Sequence, residues 1–127
     1  MKLEFTIPLP PNRANDRSHW RKVHRDKLNY WAHLDAIQLL NRADLGFYIP
    51  KPPAAPLTRA KIRATLFVWS LMDEGNSLAR LKWPEDWLVT RGYIRNDTRI
   101  VLKWEGIPDQ VVDRKHQRVE LTLTEAA

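Results

Sequence analysis

Leu3, Phe5, Ile7 and Leu9 alternate with Lys2, Glu4 and Thr6, the period-two pattern of a strand with one buried face. Pro8, Pro10 and Pro11 end it, because proline gives no N–H to a ladder. From about Asn15 to Asn41 there is neither glycine nor proline, and Val23, Tyr30, Leu34, Ile37 and Leu40 recur at helical spacing. This predicts one long helix with Asn15 as its cap. The segment from about 46 to 57 carries Pro50, Pro52, Pro53 and Pro56 and predicts a stiff surface loop inside the domain. Ala60, Ile62, Ala64, Leu66 and Val68 then alternate with Lys61, Arg63, Thr65, Phe67 and Trp69, a strand that runs directly into Asp73.

Beyond it, Leu78, Leu81, Trp87 and Leu88 have helical character, but Pro84 argues against one continuous helix. A helix starting near Pro84 and ending at Gly92 fits, since proline suits the first turn and Glu85 and Asp86 suit its positive end. A looser turn precedes it. Thr98, Ile100, Leu102 and Trp104 predict a third strand, Gly106, Pro108 and Asp109 a turn, and Val119, Leu121 and Leu123 a fourth strand. The order β-α-β-α-β-β predicts a single α+β domain, a mixed sheet with helices packed on it.

Composition narrows what such a domain does. With 127 residues, 43% of them hydrophobic, one chain can bury one core. No run of eighteen apolar residues or signal-type leader is present, so a soluble, cytoplasmic protein is expected, with no membrane partner. With no cysteine, disulfides, thiolate metal sites and a cysteine nucleophile are excluded. The formal charge is +6 and the pI about 9.9, which favours a polyanionic partner. The charge is concentrated: Arg13, Arg17, Arg21, Lys22, Arg25 and Lys27 share one early segment with Trp20, Tyr30 and Trp31. Arginine against phosphate and rings against unstacked bases are the means of holding distorted or single-stranded DNA. A solvated helix face with inward tryptophans is the other reading of that segment.

Against this basic background, Asp73 and Glu74 follow the second strand and Asp97 precedes the third. Carboxylates gathered at element ends repel unless a cation lies between them, and magnesium, an oxygen-seeking ion, suits one or two of them plus phosphate. Acidic turn residues that cap or solvate loops fit the same residues. Pro108-Asp109 with Asp113-Arg114-Lys115 imitates a PD-(D/E)xK nuclease pattern, but the gap is too short to set the two parts on facing strands. No glycine-rich phosphate loop, GxSxG or HExxH motif occurs, and no aromatic RNP-type signature points to an RNA-binding module.

Taken together, these residues resemble the RusA-type Holliday junction resolvases, small endodeoxyribonucleases of phages and prophages. Pro8-Leu9-Pro10-Pro11-Asn12-Arg13 is similar to the proline pair and Asn/Arg segment that follow the family's opening strand, and Arg118–Glu125 to its closing strand. The central match is Asp73, Asn76, Lys82, Asp86, Leu88, Gly92 and Asp97. These fall in the register of the family's D-x-D-N, a lysine six residues beyond the Asn in many phage members, K-x-x-x-D-x-L, a glycine and a late pair of acids. The resemblance implies Asp73 and Asp97 as catalytic acids and metal ligands, with Lys82 handling charge or a proton. It implies magnesium, replaceable by manganese, as cofactor, four-way DNA junctions as substrate, and a homodimer. Two positions depart from the pattern: Gly75 stands where the second Asp of D-x-D-N belongs, and Asn96 at the first of the late pair. Glu74 is the candidate substitute ligand, with Asn76 and Asn96 as assisting residues. The alternative reading is a branched-DNA-binding protein that keeps the fold without cutting.

Overall fold

The computed structural model describes residues 1–11, 19–42 and 46–126. Its elements are β1 (Lys2–Pro8), α1 (Trp20–Leu40), β2 (Ala60–Val68), α2 (Glu74–Arg80), α3 (Lys82–Thr90), β3 (Leu102–Trp104), β4 (Asp109–Val112) and β5 (Arg118–Glu125). The fold is the expected α+β domain on a mixed sheet. β5 lies between β1 and β2 and is antiparallel to both, while β3 and β4 pair in parallel with the first and last parts of β2. Together they form one interrupted edge, broken where Gly106 takes a left-handed φ of 76°.

Strand alternation decides which face is covered. Phe5 and Ile7, Ile62, Ala64 and Leu66, and Val119, Leu121 and Leu123 are all buried, and in strands such alternate residues share one face. Tyr30, Leu34 and Ile37 of α1 and Trp87 and Leu88 of α3 join them in one core. A Leu or Trp fully removed from water there contributes about 2–3 kcal/mol. Tyr30, Leu34 and Ile37 pack as the periodicity of α1 predicts, but Leu40 at its end is 56% exposed, and Arg21, Lys22 and Arg25 of the first half are exposed.

Several boundaries differ from the sequence reading. Helix α1 begins at Trp20 with His19 as its cap, the imidazole Nδ1 accepting from the Arg21 amide at 3.2 Å; Asn12, Asn15, Arg13 and Arg17 lie outside the described residues. The proline-rich loop is only partly a surface connection: Tyr48 bridges Thr6, Leu57 bridges Ile94, and Ile49 and Leu57 enter the core. The third strand is shorter than its pattern, since residues 98–101 form turns and Ile100 is 77% exposed. Asp109, read as part of a turn, opens β4, a short edge strand with two exposed valines that period-two counting cannot identify.

Around Pro84 there are two helices rather than one helix and a looser turn. Leu81 ends α2 and starts α3, and its buried side chain anchors the bend. Pro84 is the third residue of α3 rather than the first, a position whose N–H has no partner within the helix in any case. The far end is held by Asp35, which accepts from Trp87 Nε1 at 2.9 Å and from both Arg91 Nε and a terminal Arg91 nitrogen at 2.9 and 2.8 Å. The Arg91 hydrogen bond holds the Asp35 carboxyl below its ordinary range.

Candidate active site

The strand β2 does not run into Asp73. It stops at Val68, residues 69–72 cross over, and Asp73 caps α2. Its Oδ1 accepts from the Asn76 amide at 2.8 Å and its Oδ2 from Asn76 Nδ2 at 3.0 Å. An aspartate followed three residues later by an asparagine is a helix start as well as a motif fragment. The crossover is pinned by Gln110 of β4, whose amide accepts from the Met72 N–H at 2.9 Å and donates to the Met72 carbonyl at 2.8 Å. Gln110 therefore fixes the residue just before Asp73, a role its surroundings in the sequence do not signal.

Glu74 is the first residue of α2, with an exposed side chain. Gly75 follows on the same turn at a φ open to any residue, and a Cβ built there meets only Asp73 Oδ1, at 3.5 Å, an ordinary contact. The first side-chain atom of an aspartate at 75 therefore has room beside Asp73.

Beyond the end of α2, Lys82 opens α3 with its ammonium between two carboxylates, 2.8 Å from Asp97 Oδ2 and 3.2 Å from Asp86 Oδ1. Asp97, fifteen residues away in sequence, reaches it from the loop before β3. The hydrogen bond to Asp97 pushes the Lys82 ammonium well above its usual pKa, and the same bond lowers that of Asp97. Glu85, read from sequence as a first-turn residue, completes this corner: burial raises its carboxyl, Lys82 opposes that, and Asp97 adds to it. Gly75, Ala79, Lys82, Glu85 and Trp104 line one concavity of about 610 Å³. The i, i+4 spacing of Lys82 and Asp86 was the available sequence signal; Glu85 had none.

The assisting residues serve local structure. Asn96 accepts through Oδ1 from the Thr98 amide and hydroxyl at 3.0 and 2.7 Å, which shapes the loop carrying Asp97. Of the basic residues assigned to DNA, Arg21, Lys22 and Arg25 are exposed on α1, with Arg21 5.5 Å from the Trp20 ring centre. Lys27 is committed elsewhere: it pairs with Asp86 at 3.0 Å and lies over Trp31 at 4.8 Å. Trp20 is 67% exposed, while Tyr30 is buried and Trp31 packs against the core, so the aromatic segment divides between surface and interior.

Among the described residues no three His, Asp or Glu side chains stand close enough to hold a metal ion. The donors that the resemblance implies are two hard carboxylates, Asp73 and Asp97, a number that suits magnesium when phosphate and water complete the shell. No family model matches the chain and no curated protein matches it. No helix among the described residues is long and apolar enough to cross a membrane.

Proposed function

We propose that the protein is a magnesium-dependent endonuclease of branched DNA that acts on four-way junctions as a homodimer. The observation that carries this is the meeting of Lys82 with Asp97 across fifteen residues of sequence, on a wall shared with Gly75 and next to the Asp73 cap. A loop acid unrelated to the register has no reason to reach the register's lysine from fifteen residues away, as Asp97 does, whereas Asp73 contacts Asn76 and not Lys82. Asp73 and Asp97 would hold the metal ion, which when bound supplies an activated water and neutralises phosphate charge. Lys82 offers an ammonium, kept protonated by two carboxylates, to the negative charge that builds on the phosphoryl oxygens. The exposed face of Arg21, Lys22 and Arg25 attracts the backbone, and a two-fold dimer matches a junction of the same symmetry.

A second reading has a specific observation behind it. Gly75 removes one carboxylate, and the described residues form no three-acid group, which suits a protein that binds junctions without cutting them. A synthetic four-way junction incubated with the purified protein in magnesium, then in manganese, separates the two. Nicks near the branch point, absent from linear duplex and abolished by chelation, are expected. Tight junction binding with no nick in either metal would leave only the binding protein.

A further inference from the structure

Arg80, the last residue of α2, stands apart from the acidic corner. It donates through Nε to the Pro10 carbonyl and is partly buried at a concavity of about 380 Å³, whose other walls include Leu9, Trp69, Ser70, Met72 and Gln117. Arg80 has no carboxylate partner among the described residues. Among the described residues its electrostatic neighbour is Tyr30, which burial keeps protonated and which donates to the Pro8 carbonyl at 2.7 Å.

Removing a guanidinium from water without a counter-charge is unfavourable. The other partly buried Lys and Arg side chains among the described residues each have a carboxylate: Lys27 has Asp86, Arg91 has Asp35, and Arg118 has Asp113. A structural arginine needed only for the Pro10 carbonyl would gain from an acid nearby, and 15 Asp and Glu residues were available to the sequence. An open concavity with a partly buried guanidinium that no described carboxylate compensates attracts an anion, and the planar donor fork suits phosphate.

We infer that Arg80 and this concavity form a subsite for one backbone phosphate of the bound DNA strand, separate from the scissile phosphate. The inference rests on the reading of the chain as a DNA-binding protein. The wall formed by residues 69–72 leads without interruption into Asp73, so the subsite and the acids lie along one stretch of chain. A strand held there is fixed next to the site instead of being merely attracted by the exposed basic helix. DNA is favoured over a free nucleotide because the concavity is open and offers a single cation.

The test combines two measurements on the full chain. Junction binding by the wild type, Arg80→Gln and Arg80→Lys is measured across a salt series. Arg80→Gln is expected to weaken binding on the order of tenfold and to reduce the slope of log affinity against log salt by about one. Arg80→Lys should restore the slope. An unchanged slope for Arg80→Gln would overturn the subsite, and lowered melting beside it would make Arg80 a strut for Pro10. Separately, the Arg80 Nε–H resonance is followed during titration with a thymidine dinucleotide, with dTMP and inorganic phosphate as controls. A saturable shift with the dinucleotide is expected. A shift with the free anions alone, or a slope change seen with RNA and not with DNA, would refute the assignment. Loss of cutting leaves these binding readouts intact, so a failure of the nuclease reading and a failure of the subsite are told apart.

Discussion

Asp73 and Asp97 play the same part in the sequence pattern and very different parts in the fold. Both oxygens of Asp73 are used within three residues, capping α2 through Asn76. Asp97 makes no comparable helix cap; its ion pair is with Lys82, fifteen residues away. Local chemistry alone is enough to explain Asp73, since any helix gains from such a cap. Nothing local explains Asp97 and Lys82, whose contact exists only because α3 and the loop before β3 are packed together. The long-range pair is thus the stronger evidence of a site, and the cap is the residue whose second role has to be demonstrated.

Amide substitution separates the two roles most sharply. Asp97→Asn and Asp73→Asn should each lower junction cutting at least ~100-fold, measured as single-turnover rates on a labelled junction, with junction binding retained. Asparagine caps a helix as well as aspartate does, so loss of cutting in Asp73→Asn cannot be blamed on α2. If Asp73→Asn cuts normally while Asp97→Asn does not, Asp73 is a cap and nothing more. Gly75→Asp comes next in size. Its Cβ has room beside Asp73, and an added acid there should raise cutting on the order of tenfold, the effect of about 1.4 kcal/mol in the barrier. Unchanged or slower cutting would mean that the missing carboxylate does not limit the reaction.

Stability offers smaller effects. Asp73→Ala should destabilise the fold by about 1 kcal/mol in urea denaturation, the usual cost of a lost cap, where Asp73→Asn should cost almost nothing. Asp35 supplies a purely structural carboxylate for comparison. It is 40% exposed and its Arg91 partner 35%, so after allowing for solvent screening Asp35→Asn should cost about 1 kcal/mol at pH 7. Because the Asp35 carboxyl is depressed in the folded state, that contribution is complete above its unfolded value of about 3.9 and is lost as the pH falls through the lower folded one. Wild type and Asp35→Asn should therefore converge in stability in strong acid. A constant gap at all pH values would show that the Asp35 charge contributes nothing.

The same contrast between local and long-range information explains what could be read from the sequence. Strands β1, β2 and β5 and the core half of α1 were legible because alternation and helical spacing report burial on one face directly. The Leu81 bend, the short edge strand β4 and the brief β3 were not. Their residues are too few for a period to register, and parallel pairing with β2 comes from tertiary packing. A spaced pattern in the sequence singled out Asp73, Lys82 and Asp97 as candidates, but it gave no sign of Glu85 beside Lys82 or of Gln110 on Met72. Contacts made by one side chain with a distant segment leave no periodic trace. The charge of the α1 segment was visible, yet Lys27 belongs to Asp86 because an acid on α3 lies within its reach.

The most direct test of a single site built from Asp73 and Asp97 is a double-mutant cycle on junction cutting. Residues that act as a unit lose activity non-additively. The Asp73→Asn, Asp97→Asn double variant is predicted to cut no more slowly than the slower single variant. Losses that multiply, or a wild type that leaves the junction intact in both magnesium and manganese, would contradict the account.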